Sequence, residues 1–231
     1  MRNYLLKLLI YLIIPVLLAG IFIGGYFSGN VRIQELIAPR TNREYGGLEN
    51  LQNLFLLAII ALAAYGLSRK RLPFEKALLI LVLLGGVFIL LEEIDYGRHH
   101  YRYLIGDPVN DRGKDTNTDL NIHNRGNINQ VFKQTLDIGM IAFFVLFPLI
   151  TWKSGNRMVR YLRPDPLCIL TMGIMLMASR SAKAFNIMGL GMDGALRSNT
   201  AEFREVIVYY IFLVYLCGLI FRRGFRPEPE E

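Results

Sequence analysis

The sequence predicts an all-α polytopic membrane protein with six transmembrane helices. Apolar residues make up 53% of the 231 residues and charged residues only 19%, and the apolar residues occur in blocks. A soluble domain would carry about 25% charged residues and would alternate apolar with polar positions at the helix or strand period. The composition therefore argues against a soluble enzyme, a disordered chain and a coiled coil. We interpret residues 1–231 as one helical-bundle domain.

Six apolar blocks define the predicted spans. A helix needs about 20 residues to cross a bilayer core, and the first block reaches this length alone, whereas most others need flanking residues at the interface. The first block is also longer than the apolar region of a signal peptide and lacks a cleavage site, so we expect it to be retained. The predicted spans are 5–27, 50–68, 75–94, 136–153, 165–181 and 203–222.

The fifth block is the weakest of the six. Pro164 and Pro166 precede it, Arg180 follows it, and glycines occur at positions 189, 191 and 194. Glycine and proline favour breaks in a helix. Residues 167–192 are therefore predicted to form either a full span or a short or re-entrant helix followed by a segment at the membrane interface.

The loops alternate between two kinds, and this alternation predicts the orientation. Half of the 26 Lys and Arg residues lie in the short loops, whereas most acidic residues lie in the longer ones. Because basic loops face the cytoplasm, we expect a multi-pass protein of the cell (inner) membrane with both termini in the cytoplasm. A long extracytoplasmic loop, 95–135, would join the third and fourth spans. This asymmetry accounts for the net charge of +7 without a nucleic-acid partner.

The outer end of the third span carries the first candidate site. Glu92 and Asp95 are three residues apart and share a helical face, and His99 lies one turn further if the helix continues. Ionisable groups at membrane depth face the bundle interior or a watery cavity. Carboxylate and imidazole groups on one face can bind a divalent metal or act as general acid and base. The alternative is an ordinary charged rim where the helix leaves the membrane, and we interpret Glu93 and His100 in that way.

The long outward loop contributes a further histidine. All three histidines of the chain lie in this loop. We expect His123 to join the carboxylates and His99 at one site, and the neighbouring Asn121 and Asn124 to bind substrate. The alternative is a solvated polar loop with surface histidines. The predicted metal ligands are Glu92, Asp95, His99 and His123.

Charged residues around the fifth and sixth spans extend this site. Glu205 lies one turn after Glu202, on the same helical face, and at the same outer level as Glu92. Glu202 itself is interpreted as a first-turn charge that the helix dipole favours. Arg180 and Lys183 are the natural counter-charges and are predicted to bind an anionic group of the substrate. We therefore predict a polar cluster in the outer leaflet, with Glu205 among its catalytic groups.

Two short motifs resemble a pattern in a known group of proteins. They are EE-x-D-Y-G at 92–97 and N-x-H-N at 121–124. The pair resembles uncharacterised bacterial multi-pass membrane proteins, in which the longer form reads EE-x-x-x-G-Q followed by N-x-H-N. This chain carries Arg98 in place of the glutamine. The resemblance supports the choice of site residues and implies no particular reaction.

Two functional hypotheses follow from the sequence. The first is a membrane enzyme at the outer face, a hydrolase or transferase with a divalent metal or an acid–base pair, acting on a lipid or lipid-linked substrate. The second is a non-catalytic accessory subunit that docks other membrane protein subunits through its outward loop. A transporter or channel has less support, because charges are lacking at mid-bilayer. Whether the chain is an enzyme stays open at this point.

Overall fold

The computed structural model describes residues 2–39, 45–97, 101, 104–105, 127–190 and 200–222, and every regular element in them is helical. Five helices are long and apolar enough to cross a membrane, which confirms the predicted class of fold. These candidate spans are Tyr4–Tyr26, Gly47–Arg69, Pro73–Glu93, Cys168–Ile187 and Glu202–Phe221.

The fourth predicted span, 136–153, forms a shorter apolar helix over Gln134–Ile150. The number of six spans therefore stays a prediction. The fifth predicted span is a helix of 20 residues that continues past Arg180 and ends at Ile187. Gly189 follows with a φ of +73°, a backbone conformation that terminates helices and that glycine adopts without strain.

The helices are labelled in chain order. Helices α1 and α2 are joined by a π-helical turn at Leu9–Ile13, and α6 and α7 by another at Ala142–Leu146. The bounds are α1 Arg2–Leu8, α2 Ile14–Tyr26, α3 Val31–Ile37, α4 Gly47–Arg69, α5 Pro73–Glu93, α6 Asn127–Ile141, α7 Phe147–Ile150, α8 Arg157–Leu162, α9 Cys168–Ile187 and α10 Glu202–Phe221.

The first π-helical turn follows from a proline. Pro15 has no N–H, so the carbonyls one turn earlier lose their intrahelical donor. The Thr171 hydroxyl donates to the Tyr11 carbonyl at 2.7 Å, and the Tyr210 hydroxyl donates to the Ile10 carbonyl at 2.7 Å. Neighbouring helices therefore satisfy the backbone that the proline exposes, as membrane-embedded helices require.

Helix α10 lies at the centre of the bundle. Half of the residues in its apolar stretch are buried, whereas only 11% of those in the N-terminal span are buried. It runs parallel to α4 and antiparallel to α5. A Cβ placed on Gly66 of α4 would lie 3.0 Å from Leu79 of α5 and 3.1 Å from Ile220 of α10, so this glycine allows the three helices to approach closely.

The bundle has two chemically different ends. At one end Lys7 pairs with Asp165 at 2.6 Å, and Lys70 donates to the Arg222 carbonyl at 3.2 Å. We call this the basic end. The opposite end, where α5 finishes and α10 begins, contains Glu93 and is called the carboxylate end. Positive residues in short loops lie at the basic end, which the sequence predicts to face the cytoplasm.

Candidate carboxylate site

Glu92 is a buried carboxylate in the last turn of α5. Its residue is only 3% exposed, and the Tyr96 hydroxyl donates a 2.5 Å hydrogen bond to its Oε1 atom. Tyr96 lies in a 3₁₀ turn with φ +54° and ψ +30°, and Gly97 follows with φ +82°. A positive φ is costly for a bulky residue. The turn thus holds the tyrosine hydroxyl against the carboxylate.

Glu93 connects α5 to the central helix. The Tyr209 hydroxyl of α10 donates a 2.6 Å hydrogen bond to its Oε1 atom. Glu205 and Glu202 lie about one and two turns before Tyr209 on the same face of α10. Glu93 is half-buried, so its interpretation as a rim charge is incomplete, because the side chain ties two helices together.

Gln52 connects α4 to the first turn of α10. It is fully buried at 0% exposure. Its Nε2 atom lies 3.1 Å from the backbone carbonyl of Glu202 and 3.4 Å from the Oε2 atom of the same residue. Glu202 is itself only 5% exposed and lies in the first turn of its helix, where the dipole favours a negative charge. The expected first-turn charge is therefore also part of an interhelical contact.

Two more buried polar residues line the same end. Glu49 is 3% exposed and lies three residues before Gln52, on the same face of α4. Gln34 of α3 is also buried, and its Nε2 atom donates to the Tyr26 carbonyl at 2.7 Å. The carboxylate end is therefore a buried polar layer built from four helices, which is expensive in a membrane protein and marks a functional candidate.

The sequence-predicted site residues fall into three groups. Glu92 is buried and Glu205 is half-buried beside Tyr209, so both lie in this polar layer. Arg180 and Lys183 are exposed on α9.

The third group lies partly or wholly outside the residues that the structure describes. The backbone of Asp95 starts the 3₁₀ turn. His99, Asn121, His123 and Asn124 lie outside the described residues, so their meeting with Glu92 stays a prediction. Within the described ranges, no three Asp, Glu, His or Cys side chains converge as metal ligands do. The predicted metal site, which needs the two histidines, is not tested by this result.

A second buried charge cluster lies at the basic end and was missed by sequence reasoning. Lys70 and Glu75 are both buried and lie 3.7 Å apart. The Tyr161 hydroxyl donates a 2.5 Å hydrogen bond to Glu75, and the Lys70 ammonium lies 5.3 Å from the centre of the Tyr161 ring. Burial, followed by the hydrogen bond to the Glu75 carboxylate, raises the pKa of Tyr161. The sequence does not reveal this burial, because buried and solvated charged residues of a short loop cannot be distinguished by their sequence pattern.

No protein-family model, curated protein or solved structure matches the chain. The fold and the two polar ends define a class: a helical bundle compatible with an integral membrane protein, with buried carboxylates at one end.

Proposed function

We propose that the protein is an integral membrane enzyme whose carboxylate end works at the outer membrane face on a lipid or lipid-linked substrate. The observation that carries this proposal is the pairing of buried Glu92 with Tyr96. Strained backbone is retained where the surrounding structure demands it, and it is concentrated at functional sites. Here the strain holds a hydroxyl against a buried carboxylate, an arrangement suited to moving a proton.

The other carboxylates would support this chemistry. Glu93, Glu202 and Glu205 lie around Tyr209 and would set the negative potential of the site. A general acid and a general base need different environments to hold different protonation states. Glu92 is buried with a tyrosine donor, whereas Glu205 is half-buried, and this difference supports separate roles for them.

Two exposed basic residues of α9 favour a substrate that carries a negative charge. Arg180 and Lys183 are exposed in the C-terminal part of α9. This part of α9 lies near the carboxylate end, because Phe185 packs on Phe27, the residue that follows α2. Exposed cations at a membrane interface suit phosphate-containing headgroups. We propose that they bind an anionic group of the substrate, with Asn121 and Asn124 as further contacts. A divalent metal on Glu92, Asp95, His99 and His123 remains part of this proposal.

The membrane orientation is also part of the proposal. Six spans, cytoplasmic termini and an outward loop at 95–135 in the cell (inner) membrane follow from the distribution of basic residues. The grouping of Lys7, Lys70 and Arg222 at one end supports this orientation, because all three belong to loops predicted to be cytoplasmic.

A matched pair of variants tests the enzyme. Membranes of a host producing the wild-type chain, Glu92→Gln or Glu35→Gln would be compared by mass spectrometry of their lipids at equal inserted amounts. Glu35 is half-buried on α3 at the same end and lies outside the proposed site. We expect wild type and Glu35→Gln to change the same lipid species, and Glu92→Gln to leave them unchanged. A Glu92→Gln profile identical to wild type would refute the proposal.

The accessory-subunit function remains a second candidate, and one observation favours it. Tyr209 with Glu93 and Gln52 with Glu202 are hydrogen bonds between helices, which a purely structural role would also explain. A subunit would co-purify with membrane partners from native membranes and would lose them when the loop 95–135 is altered. Under this alternative Glu92→Gln would leave partner binding intact.

A further inference from the structure

Among the residues that the structure describes, two side-chain oxygens on consecutive positions of α4 are shielded from solvent and have no hydrogen-bond partner. They are Gln52 Oε1 and Asn53 Oδ1. Both atoms are acceptors, and buried acceptors are almost always paired because an unpaired one loses its hydration without compensation. The two oxygens therefore require an electropositive ligand: a donor group, a water molecule or a cation.

The orientation of the Gln52 amide follows from its neighbour. Its Nε2 atom faces two acceptors of Glu202, the backbone carbonyl at 3.1 Å and the carboxylate Oε2 at 3.4 Å. Exchanging the amide nitrogen and oxygen would put an acceptor against both of them. The oxygen of Gln52 is thus the atom left to bind a ligand, beside a buried carboxylate.

The helix register places Asn53 in the same layer. Ile60 of α4 packs on Gly86 of α5, where an added Cβ would lie 3.1 Å from its Cγ1 atom. Asn53 lies seven residues before Ile60, and Glu93 lies seven residues after Gly86. Because the two helices are antiparallel and seven residues make two turns, Asn53 is level with Glu93. Amide oxygens from α4 and carboxylates from α5 and α10 therefore share one layer.

We propose that Gln52 Oε1 and Asn53 Oδ1 are ligands of a hard cation, Ca²⁺ or Na⁺, bound in this layer with carboxylate oxygens of Glu93 and Glu202. Ca²⁺ takes carboxylate and Asn or Gln carbonyl oxygens in flexible geometry. The adjacent carboxylates make the local potential negative, which favours a cation over a neutral water molecule. Mg²⁺ should bind poorly, since it gives up its own water ligands reluctantly.

This site is separate from the proposed metal ligands at the third span and its outward loop. It uses two amide oxygens and two carboxylates, and so fits the finding that no three acidic, histidine or cysteine side chains of the described residues converge. It does not depend on the enzymatic proposal. A cation here would hold α4, α5 and α10 together whether or not Glu92 is catalytic.

Cation binding to the purified full-length chain in nanodiscs of neutral lipid tests the proposal. Radiolabelled Ca²⁺ and Na⁺ would be titrated separately at constant ionic strength kept by choline chloride, and the unfolding temperature would be recorded in each salt. Gln134→Leu is the matched control, because Gln134 is an exposed amide residue on α6. We expect wild type, Gln134→Leu and Glu92→Gln to bind one of the two ions saturably and to gain stability from it.

Gln52→Leu should abolish this binding and this gain. Asn53→Leu leaves the contact of Gln52 with Glu202 in place and should weaken them, and this variant decides the matter if Gln52→Leu does not fold. Absence of saturable binding of either ion to wild type would mean that water satisfies the two oxygens, and would overturn the proposal. Unchanged binding to Gln52→Leu, or to Asn53→Leu where Gln52→Leu does not fold, would also overturn it.

Discussion

The Tyr209 hydroxyl on α10 donates a 2.6 Å hydrogen bond to the Glu93 carboxylate at the end of α5. This contact joins the most buried helix of the bundle to the helix that carries Glu92. It also brings the Glu93 carboxylate of α5 close to α10, whose first turn carries Glu202 and Glu205. Since hydrogen bonds to charged groups are the strong ones, this pair should contribute to both the stability and the chemistry of the carboxylate end.

Removing this hydroxyl should destabilise the bundle. Tyr209→Phe removes this hydrogen bond to the partly buried Glu93 carboxylate, and we expect a loss of about 1.5–3 kcal/mol in the free energy of unfolding. Reversible denaturation in mixed micelles, followed by circular dichroism, measures this loss. Tyr4→Phe is the control, because Tyr4 is 60% exposed. Equal stabilities for the two variants would show that the hydrogen bond contributes nothing.

Two substitutions at Tyr96 separate the effect of its hydrogen bond from the effect of its backbone strain. Tyr96→Phe keeps the positive φ and loses the hydrogen bond to Glu92, whereas Tyr96→Gly loses the hydrogen bond and relieves the strain. We expect the glycine variant to be more stable than the phenylalanine variant by about 1 kcal/mol, although both lose the function of the site. The same denaturation measurement checks this order. A phenylalanine variant as stable as the glycine variant would argue against strain at this turn.

The proline of the first span predicts a coupling between two distant residues. Thr171→Val leaves the Tyr11 carbonyl without a donor and should cost about 1–3 kcal/mol. Pro15→Ala restores a backbone N–H one turn after that carbonyl, so the threonine substitution should cost less in the Pro15→Ala background. A double-mutant cycle of unfolding free energies measures the difference. Strictly additive losses would contradict this account of the π-helical turn.

Removing one partner of the buried Lys70–Glu75 pair should lower the free energy of unfolding more than replacing both partners with apolar residues. Glu75→Gln leaves the Lys70 ammonium buried without its carboxylate and should lower stability by about 3–5 kcal/mol. Replacing both residues together, with Lys70→Met and Glu75→Leu, should cost much less. Lys76→Gln, at an exposed neighbouring lysine, is the control for changing charge in this loop. A double variant as unstable as Glu75→Gln would mean that the pair itself, not the orphaned charge, provides the stability.

The spans could be predicted because a bilayer demands long apolar helices, and composition reveals these directly. The helix of the fourth block is the exception: its apolar part, Gln134–Ile150, contains a π-helical turn and is shorter than a full span. The number of spans therefore depends on that helix. The orientation is predicted from the distribution of basic residues between the loops.

The candidate site could be predicted in part. Glu92 stood out because a carboxylate near the end of an apolar block is expensive to bury. Glu49 and Gln52 also carried a signal, since they share a face of α4, but residues at a helix start usually meet water. The partners of Glu75 and Glu93 could not be predicted, because they depend on how Tyr161 and Tyr209 arrive from distant helices.

Thiol labelling in intact cells tests the central claim that the carboxylate end faces outward. The two native cysteines, Cys168 and Cys217, are free, and Cys168 is buried. Both would be replaced by serine, and single cysteines introduced at Lys183, near the carboxylate end, and at Arg160, at the basic end. A membrane-impermeant maleimide should label Lys183→Cys directly and Arg160→Cys only after the membrane is permeabilised. The reverse pattern would place the carboxylate site in the cytoplasm and contradict the account.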